Sequence, residues 1–116
     1  MENKQAITPK QFLEEILPSR FRPEKAAGFE VVAQLNITGS NGGNWVVTVR
    51  NQTLSVVEGN HPLPTLALTV SDIDFMDIVN GKLGTAKAFF NGKIHLSGNL
   101  LLALKLRDAG PLDFGP

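Results

Sequence analysis

The chain has 116 residues, a formal net charge of zero, a pI near 6.7 and no cysteine. That length suits one domain spanning the whole chain. The charge balance gives no overall pull toward DNA, RNA or an anionic bilayer, and the lack of cysteine excludes a disulfide framework and thiol chemistry and fits a reducing compartment.

No apolar run approaches the ~20 residues of a membrane span. Met1-Glu2-Asn3-Lys4-Gln5 has no signal-peptide core. The expectation is a soluble, cytoplasmic protein with a loose lead-in over residues 1–7.

A helix should open at Thr8-Pro9-Lys10-Gln11: Thr8 caps, Pro9 suits the first helical position and Gln11 completes a capping box. Phe12, Leu13, Ile16 and Leu17 form its apolar stripe, and Pro18 is expected to end it. A short second helix should start at Pro23, with Glu24 near its positive end and Gly28 as its stop.

From Phe29 the apolar period changes to two. Phe29, Val31, Ala33, Leu35 and Ile37 alternate with Glu30, Gln34, Asn36 and Thr38, which reads as a strand with one wet face. Gly39-Ser40-Asn41-Gly42-Gly43 is a turn. Trp45, Val47 and Val49 mark a second strand, and Asn51-Gln52 a tight connection into a third at Leu54, Val56 and Glu58. Asn-Gly would suit that hairpin better than Asn-Gln. After a break at Gly59-Asn60-His61-Pro62, Leu66, Leu68 and Val70 form a fourth strand.

A helix over 71–80 follows, capped by Ser71, with Asp72 and Asp74 complementing its dipole and Gly81 ending it. A short helix over 85–90 leads to a fifth strand, in which Ile94 and Leu96 alternate with Lys93, His95 and Ser97. Asn99 caps a last helix, and residues 108–116 read as an irregular tail. The fold class is therefore α/β of the α+β type: a five-stranded, mainly antiparallel sheet with helices covering one face.

No catalytic set emerges. His61 sits in a turn-rich loop and His95 points outward from a strand, and neither has metal-ligand spacing. Asp72, Asp74 and Asp77 fall where carboxylates serve a helix N-terminus. The Gly39–Gly43 cluster joins two strands and does not open a helix, so it is no phosphate loop. Trp45 without a basic stripe makes no nucleic-acid platform. What remains is an apolar surplus between Ala86 and Leu106, including a helix greasy on nearly every side, which must be buried or must line something greasy.

The surplus coincides with a resemblance. Ala88-Phe89-Phe90-Asn91-Gly92-Lys93-Ile94, followed by Ser97-Gly98-Asn99, resembles the AFF-x-GK-[IL]-x-[IL]-x-GN signature of the sterol carrier protein 2 family. Asn44-Trp45-Val46-Val47-Thr48-Val49-Arg50-Asn51 is similar to that family's W-x-[IV] strand. Ser71-Asp72-Ile73-Asp74-Phe75, with Asn80-Gly81-Lys82-Leu83, is similar to its D-x-DF…GK[ML] helix. The three blocks keep the family's order and spacing.

The resemblance implies a hydrophobic tunnel between sheet and helices that holds a fatty acid, fatty acyl-CoA, phospholipid, sterol or isoprenoid. Its lining would be Phe75, Ile78, Val79, Phe89, Phe90, Leu101 and Leu104 over a floor of Val47 and Leu68. Lys82, Lys87 and Lys105 are the candidates for a lipid head group. It implies a non-catalytic carrier with a lipid as partner, transient membrane contact, no cofactor, no metal and no nucleic acid. An enzyme partner and a homo-oligomer are not specified.

The chain ends Phe114-Gly115-Pro116 where many eukaryotic members carry a Ser-Lys-Leu-type signal, so the expectation is cytoplasmic and not peroxisomal. Three alternatives stay open. They are a protein-interaction or dimerisation module with a filled tunnel, a lipid-presenting factor in isoprenoid-quinone synthesis, and a small hydrolase or isomerase on apolar substrates.

Overall fold

The computed structural model describes residues 8–112 and 114. The lead-in expected over 1–7, and positions 113, 115 and 116 of the tail, lie outside the described residues.

The chain begins with a helical segment in three parts: α1 (Pro9–Gln11), a π-helical stretch (Phe12–Ile16) and α2 (Leu17–Arg20). Thr8 caps it by accepting from the Gln11 N–H at 3.1 Å. Pro18 does not end this helix, contrary to expectation. The π stretch widens the turn so that the Leu17 N–H reaches back five residues to the Phe12 carbonyl, and Pro18 enters the first turn of α2, where its missing N–H costs little. The second helix shrinks to one 3-10 turn, Pro23–Lys25.

Five strands follow: β1 (Val31–Thr38), β2 (Gly43–Arg50), β3 (Thr53–Glu58), β4 (Leu66–Ser71) and β5 (Ile94–Gly98). They form one sheet in the order β3-β2-β1-β4-β5. β1–β2, β2–β3 and β4–β5 pair antiparallel, and β1–β4 pair parallel. The sheet is thus mixed, though mainly antiparallel as expected.

The β2–β3 turn has two residues, both left-handed: Asn51 at φ 52° and Gln52 at φ 58°. This is the primed geometry that fits strand twist. Gln52 is held there by its side-chain amide, which donates to the Pro23 carbonyl at 3.0 Å.

The parallel β1–β4 pair forces a crossover from the end of β3 to the start of β4, and residues 59–65 make it across the outer face. Gln34, which alternation puts on the wet side, is buried beneath this crossover. Its amide donates to the carbonyls of Gly59 (3.1 Å) and Trp45 (3.3 Å), and its carbonyl accepts from the His61 N–H at 2.7 Å.

The inner face carries Ala33, Leu35, Ile37, Trp45, Val47, Val49, Leu66 and Val70, all buried. α3 (Asp72–Val79) packs over β1 and β4 and touches α1; α2 and the π stretch cover β3; α4 (Thr85–Phe90) sits against β5; α5 (Leu100–Ala109) closes the chain. Ser71 and Asn99 cap α3 and α5 as expected, accepting from the Asp74 N–H (3.1 Å) and the Leu102 N–H (3.0 Å). α5 runs through Ala109, and the irregular stretch begins at Gly110, whose left-handed backbone stops the helix.

Candidate functional site: a half-covered apolar face at the sheet edge

The candidate lining residues divide by how well the fold covers them. Val47, Phe75, Ile78 and Val79 are buried in the core. Phe75 lies edge-on to Phe12, with ring centroids 5.8 Å apart. Phe114 of the tail stacks on Phe12 at 5.7 Å and meets Phe75 at 6.4 Å. The protein's own rings therefore occupy the space beside α1 and α3.

The β5 side is different. Phe89 is 42% exposed, Phe90 82%, Leu101 62% and Leu104 48%. Phe89 and Phe90 are adjacent on one short helix, with their ring centroids 5.6 Å apart and edge-on to each other. α5 buries none of its residues and rests on the core only through Leu102, Ala103 and Leu106.

On the inner face, Leu68 and Leu96 pair across β4 and β5, and both are only half-buried. In register with them, Val70 and Ile94 are buried. The inner face is thus closed at the α3–α4 end of β4 and β5 and open in the middle. Leu96 belongs to this region, although sequence reasoning placed it on the fifth strand without counting it in the lining. Pairing β5 against β4 in register would have identified Leu96, because it sits opposite Leu68.

Lys82, Lys87 and Lys105 are all exposed and make no ion pair among the described residues. The neighbouring Lys93 pairs with Asp74 at 3.6 Å. Asp72, from the same acidic run, is structural: its carboxylate accepts from the N–H groups of Asn41 (3.0 Å) and Ile73 (2.8 Å) and so ties the β1–β2 turn to α3. Gly39, at φ 104°, faces that carboxylate so closely that a β-carbon would clash with it.

A polar cluster lies at the opposite side of the sheet. Trp45 Nε1–H donates to Glu14 Oε2 at 2.9 Å, and Lys10 bridges Glu14 (3.0 Å) and Glu58 (3.3 Å). The indole N–H and then Lys10 hold the Glu14 carboxyl below its usual range, while the hydrogen bonds to Glu14 and Glu58 raise Lys10. Thr8, Lys10, Asn41, Gly42, Trp45 and Glu58 line a crevice of about 210 Å³ there. It contains none of the candidate lining residues.

His61 Nδ1 accepts from the Leu63 N–H at 3.0 Å, and His95 is exposed on the outer face. Among the described residues no group of three or more His, Asp or Glu converges to hold a metal. No described helix is long and apolar enough to cross a membrane.

The sequence pattern of the SCP-2 sterol transfer family matches residues 10–109. The chain belongs to that family. Peroxisomal multifunctional enzyme A of Dictyostelium discoideum is 39% identical over 89 residues, covering 70% of this chain and 20% of that protein. Sterol carrier protein 2 of Homo sapiens is 36% identical over 70 residues, covering 60% of this chain and 13% of that protein. This SCP-2 chain thus spans a fifth or less of those relatives' own length.

The solution structure of palmitated SCP2L2 from Aedes aegypti superposes with a TM-score of 0.73 at 30% identity. That match covers 88% of this chain and 93% of the mosquito chain, so the five-stranded sheet with its helical cover is the SCP-2 fold.

Proposed function

We propose that this protein is a non-catalytic lipid carrier that encloses an acyl or isoprenoid chain between the β4–β5 floor and the α4–α5 cover. The observation that carries this is the division of the lining. Four members are spent in the core, while Phe89, Phe90, Leu101 and Leu104 stay exposed and the Leu68–Leu96 pair of β4 and β5 is only half-buried. A fold that leaves large apolar side chains clustered at one edge has a surface that an apolar guest stabilises. The palmitated relative of similar fold supports an acyl chain as that guest.

The magnitudes are sufficient. Each buried methylene contributes ~0.8 kcal/mol, so a palmitoyl-length chain gains roughly 10 kcal/mol. Association costs at least ~4 kcal/mol of this. Affinity then follows from chain length and shape, and the head group stays at the mouth, where Lys82, Lys87 and Lys105 are candidates to receive a carboxylate or phosphate. The action on this reading is binding and transfer or presentation to another protein. Isoprenoid-quinone synthesis is one setting for such a factor, and the cytoplasm is its expected compartment.

The test is native mass spectrometry of the delipidated protein with palmitate, alongside displacement of a fluorescent fatty acid. A single bound chain that displaces the probe is expected. A folded protein that takes up neither ligand at micromolar concentration overturns the carrier reading.

A further inference from the structure

The sheet has two edges, β3 and β5. An edge strand presents unpaired N–H and C=O groups, and proteins blunt such edges with lysine, proline, bulges or very short strands. β5 has five residues, with Lys93 just before it and Gly98 in left-handed backbone at its end. β3 has none of these devices. Thr53-Leu54-Ser55-Val56-Val57-Glu58 contains no lysine, proline or glycine, pairs with β2 without a bulge and carries its one charge at its end.

Arg50 and Thr53 close the two-residue turn, which fixes the phase of the ladder. The backbone groups of Thr53, Ser55 and Val57 go to β2, and those of Leu54, Val56 and Glu58 point outward. Gly59 keeps that phase, its N–H donating to the Asn44 carbonyl at 2.8 Å. Among the described residues no backbone group bonds the outward ones. Val57 is 58% exposed on the outer face, and Leu54 and Val56 are only half-buried on the inner face.

This edge matches itself. Turned antiparallel about a two-fold axis at Ser55, β3 of a second copy sets Leu54 against Val56 on the inner face and Thr53 against Val57 on the outer. Leu54 and Val56 then exchange their outward backbone bonds. Glu58 of each copy comes to the turn end of the other, beside Gln52. The Gln52 amide holds the Pro23–Lys25 turn at that end through its 3.0 Å bond to the Pro23 carbonyl, and Arg22, Lys25 and Arg50 there outnumber Glu24 and Glu30. Centring the pair on Val56 instead would set Glu58 against Leu54 and strip water from a carboxylate. The matched apolar pairs and the opposed charges at the two ends select a second copy over an unrelated strand.

We propose that this protein self-associates through β3, joining two sheets into one across the two-fold axis. One short strand on another buries less than the ~1,200 Å² of a long-lived complex, so the dissociation constant lies between micromolar and millimolar. β3 and β5 are opposite edges, so the α4–α5 side of each copy stays clear of the junction. The proposal does not depend on the carrier function.

The test is sedimentation equilibrium of the delipidated full chain from micromolar to millimolar concentration, with amide hydrogen exchange followed by NMR at both ends of the range. Dimer should grow with concentration, and the Leu54 and Val56 amides should gain protection with it, while Thr53, Ser55 and Val57 are protected throughout. Val56→Pro removes an outward N–H that β2 does not use and should abolish the dimer. Val57→Lys alters only an exposed side chain and should raise the dissociation constant on the order of tenfold. Ser97→Lys, on β5, should leave it unchanged. Far-UV circular dichroism checks that each variant is folded, and Val57→Lys decides the matter if Val56→Pro is not.

A monomer at every concentration overturns the proposal. So does a dimer that ignores Val57→Lys and leaves the Leu54 and Val56 amides exchanging. Protection of those amides that persists on dilution also overturns it, because the chain's own residues would then cover the edge. Fatty-acid uptake by the same samples is scored separately, so loss of the dimer leaves the carrier function standing.

Discussion

Truncating the candidate lining one residue at a time should separate ligand contacts from core contacts, because exposure in the free protein limits what a ligand can newly bury. Full burial of a large apolar side chain contributes about 1.5–3 kcal/mol. Phe90, 82% exposed, still has most of that to gain, about 2 kcal/mol. Phe90→Ala should therefore weaken fatty-acid binding roughly 30-fold. Leu104, 48% exposed, has about 1 kcal/mol to gain, so Leu104→Ala should cost about 5-fold. Neither change opens a cavity, so thermal stability should stay within about 0.5 kcal/mol of wild type. Val47, 1% exposed, predicts the reverse. Val47→Ala should lose about 2 kcal/mol of stability, a fall in Tm of roughly 10 °C, with little change in the affinity of the molecules that remain folded. The assay is displacement of a fluorescent fatty acid beside thermal unfolding followed by Trp45 emission. If Phe90→Ala binds as wild type does, or if it unfolds as early as Val47→Ala, the division into open and closed lining is wrong.

Gln34→Leu should destabilise by about 2–3 kcal/mol, since it strips partners from the Gly59 and Trp45 carbonyls and the His61 N–H; a lower urea midpoint at unchanged slope checks this. Glu14 is held below its ordinary value of 4.5, so its contribution to stability is present above that pH and is lost as pH falls through the lower folded value. Emission from Trp45, the sole tryptophan, should change with a midpoint below 4.5, and Glu14→Gln should remove that titration. Lys10 is raised above 10.5, so its contribution is complete below that pH and disappears only in stronger alkali; urea unfolding above and below that pH checks it. Gln52→Gly should stabilise by up to about 1 kcal/mol, because glycine takes the left-handed turn without strain; an unchanged or lower Tm would mean that the bond to the Pro23 carbonyl outweighs the relief.

Features set by neighbouring residues were legible in the sequence. Thr8, Ser71 and Asn99 cap the helices they precede, Gly81 follows α3, and the five alternating runs become the five strands, because capping and pleat depend on spacing alone. What failed depends on distant partners. Alternation puts Gln34 in water, but a parallel pairing 33 residues away at β4 draws the crossover over it. Pro18 reads as a helix stop, but a π turn before it moves the ring into a tolerant position. In the candidate site the apolar surplus was visible, while its division was not. Phe75 and Phe90 are the same residue type on successive helices, but Phe75 meets the distant rings of Phe12 and Phe114 whereas Phe90 has only its neighbour Phe89 as a ring partner among the described residues.

That division also explains how the domain stays folded with an open apolar edge. Trp45, Phe12, Leu13, Leu17, Val47 and Val49 are essentially fully buried over β2, β3 and β1, beneath α1 and α2. The polar clamp of Glu14 and Lys10 on Trp45 and Glu58 fixes those helices to the strands below. Full burial is concentrated at that side, whereas α4 buries only Ala88 and α5 none of its residues. The proposed site, if it is to admit a chain and let it go, needs such a gradient: rigid where the sheet is anchored, loosely covered at the β5 side. On that proposal, an α5 packed as tightly as α3 would leave the chain no way in. Filling the edge with larger apolar residues should therefore raise stability and lower uptake together, and a variant that gained both would break the link between them.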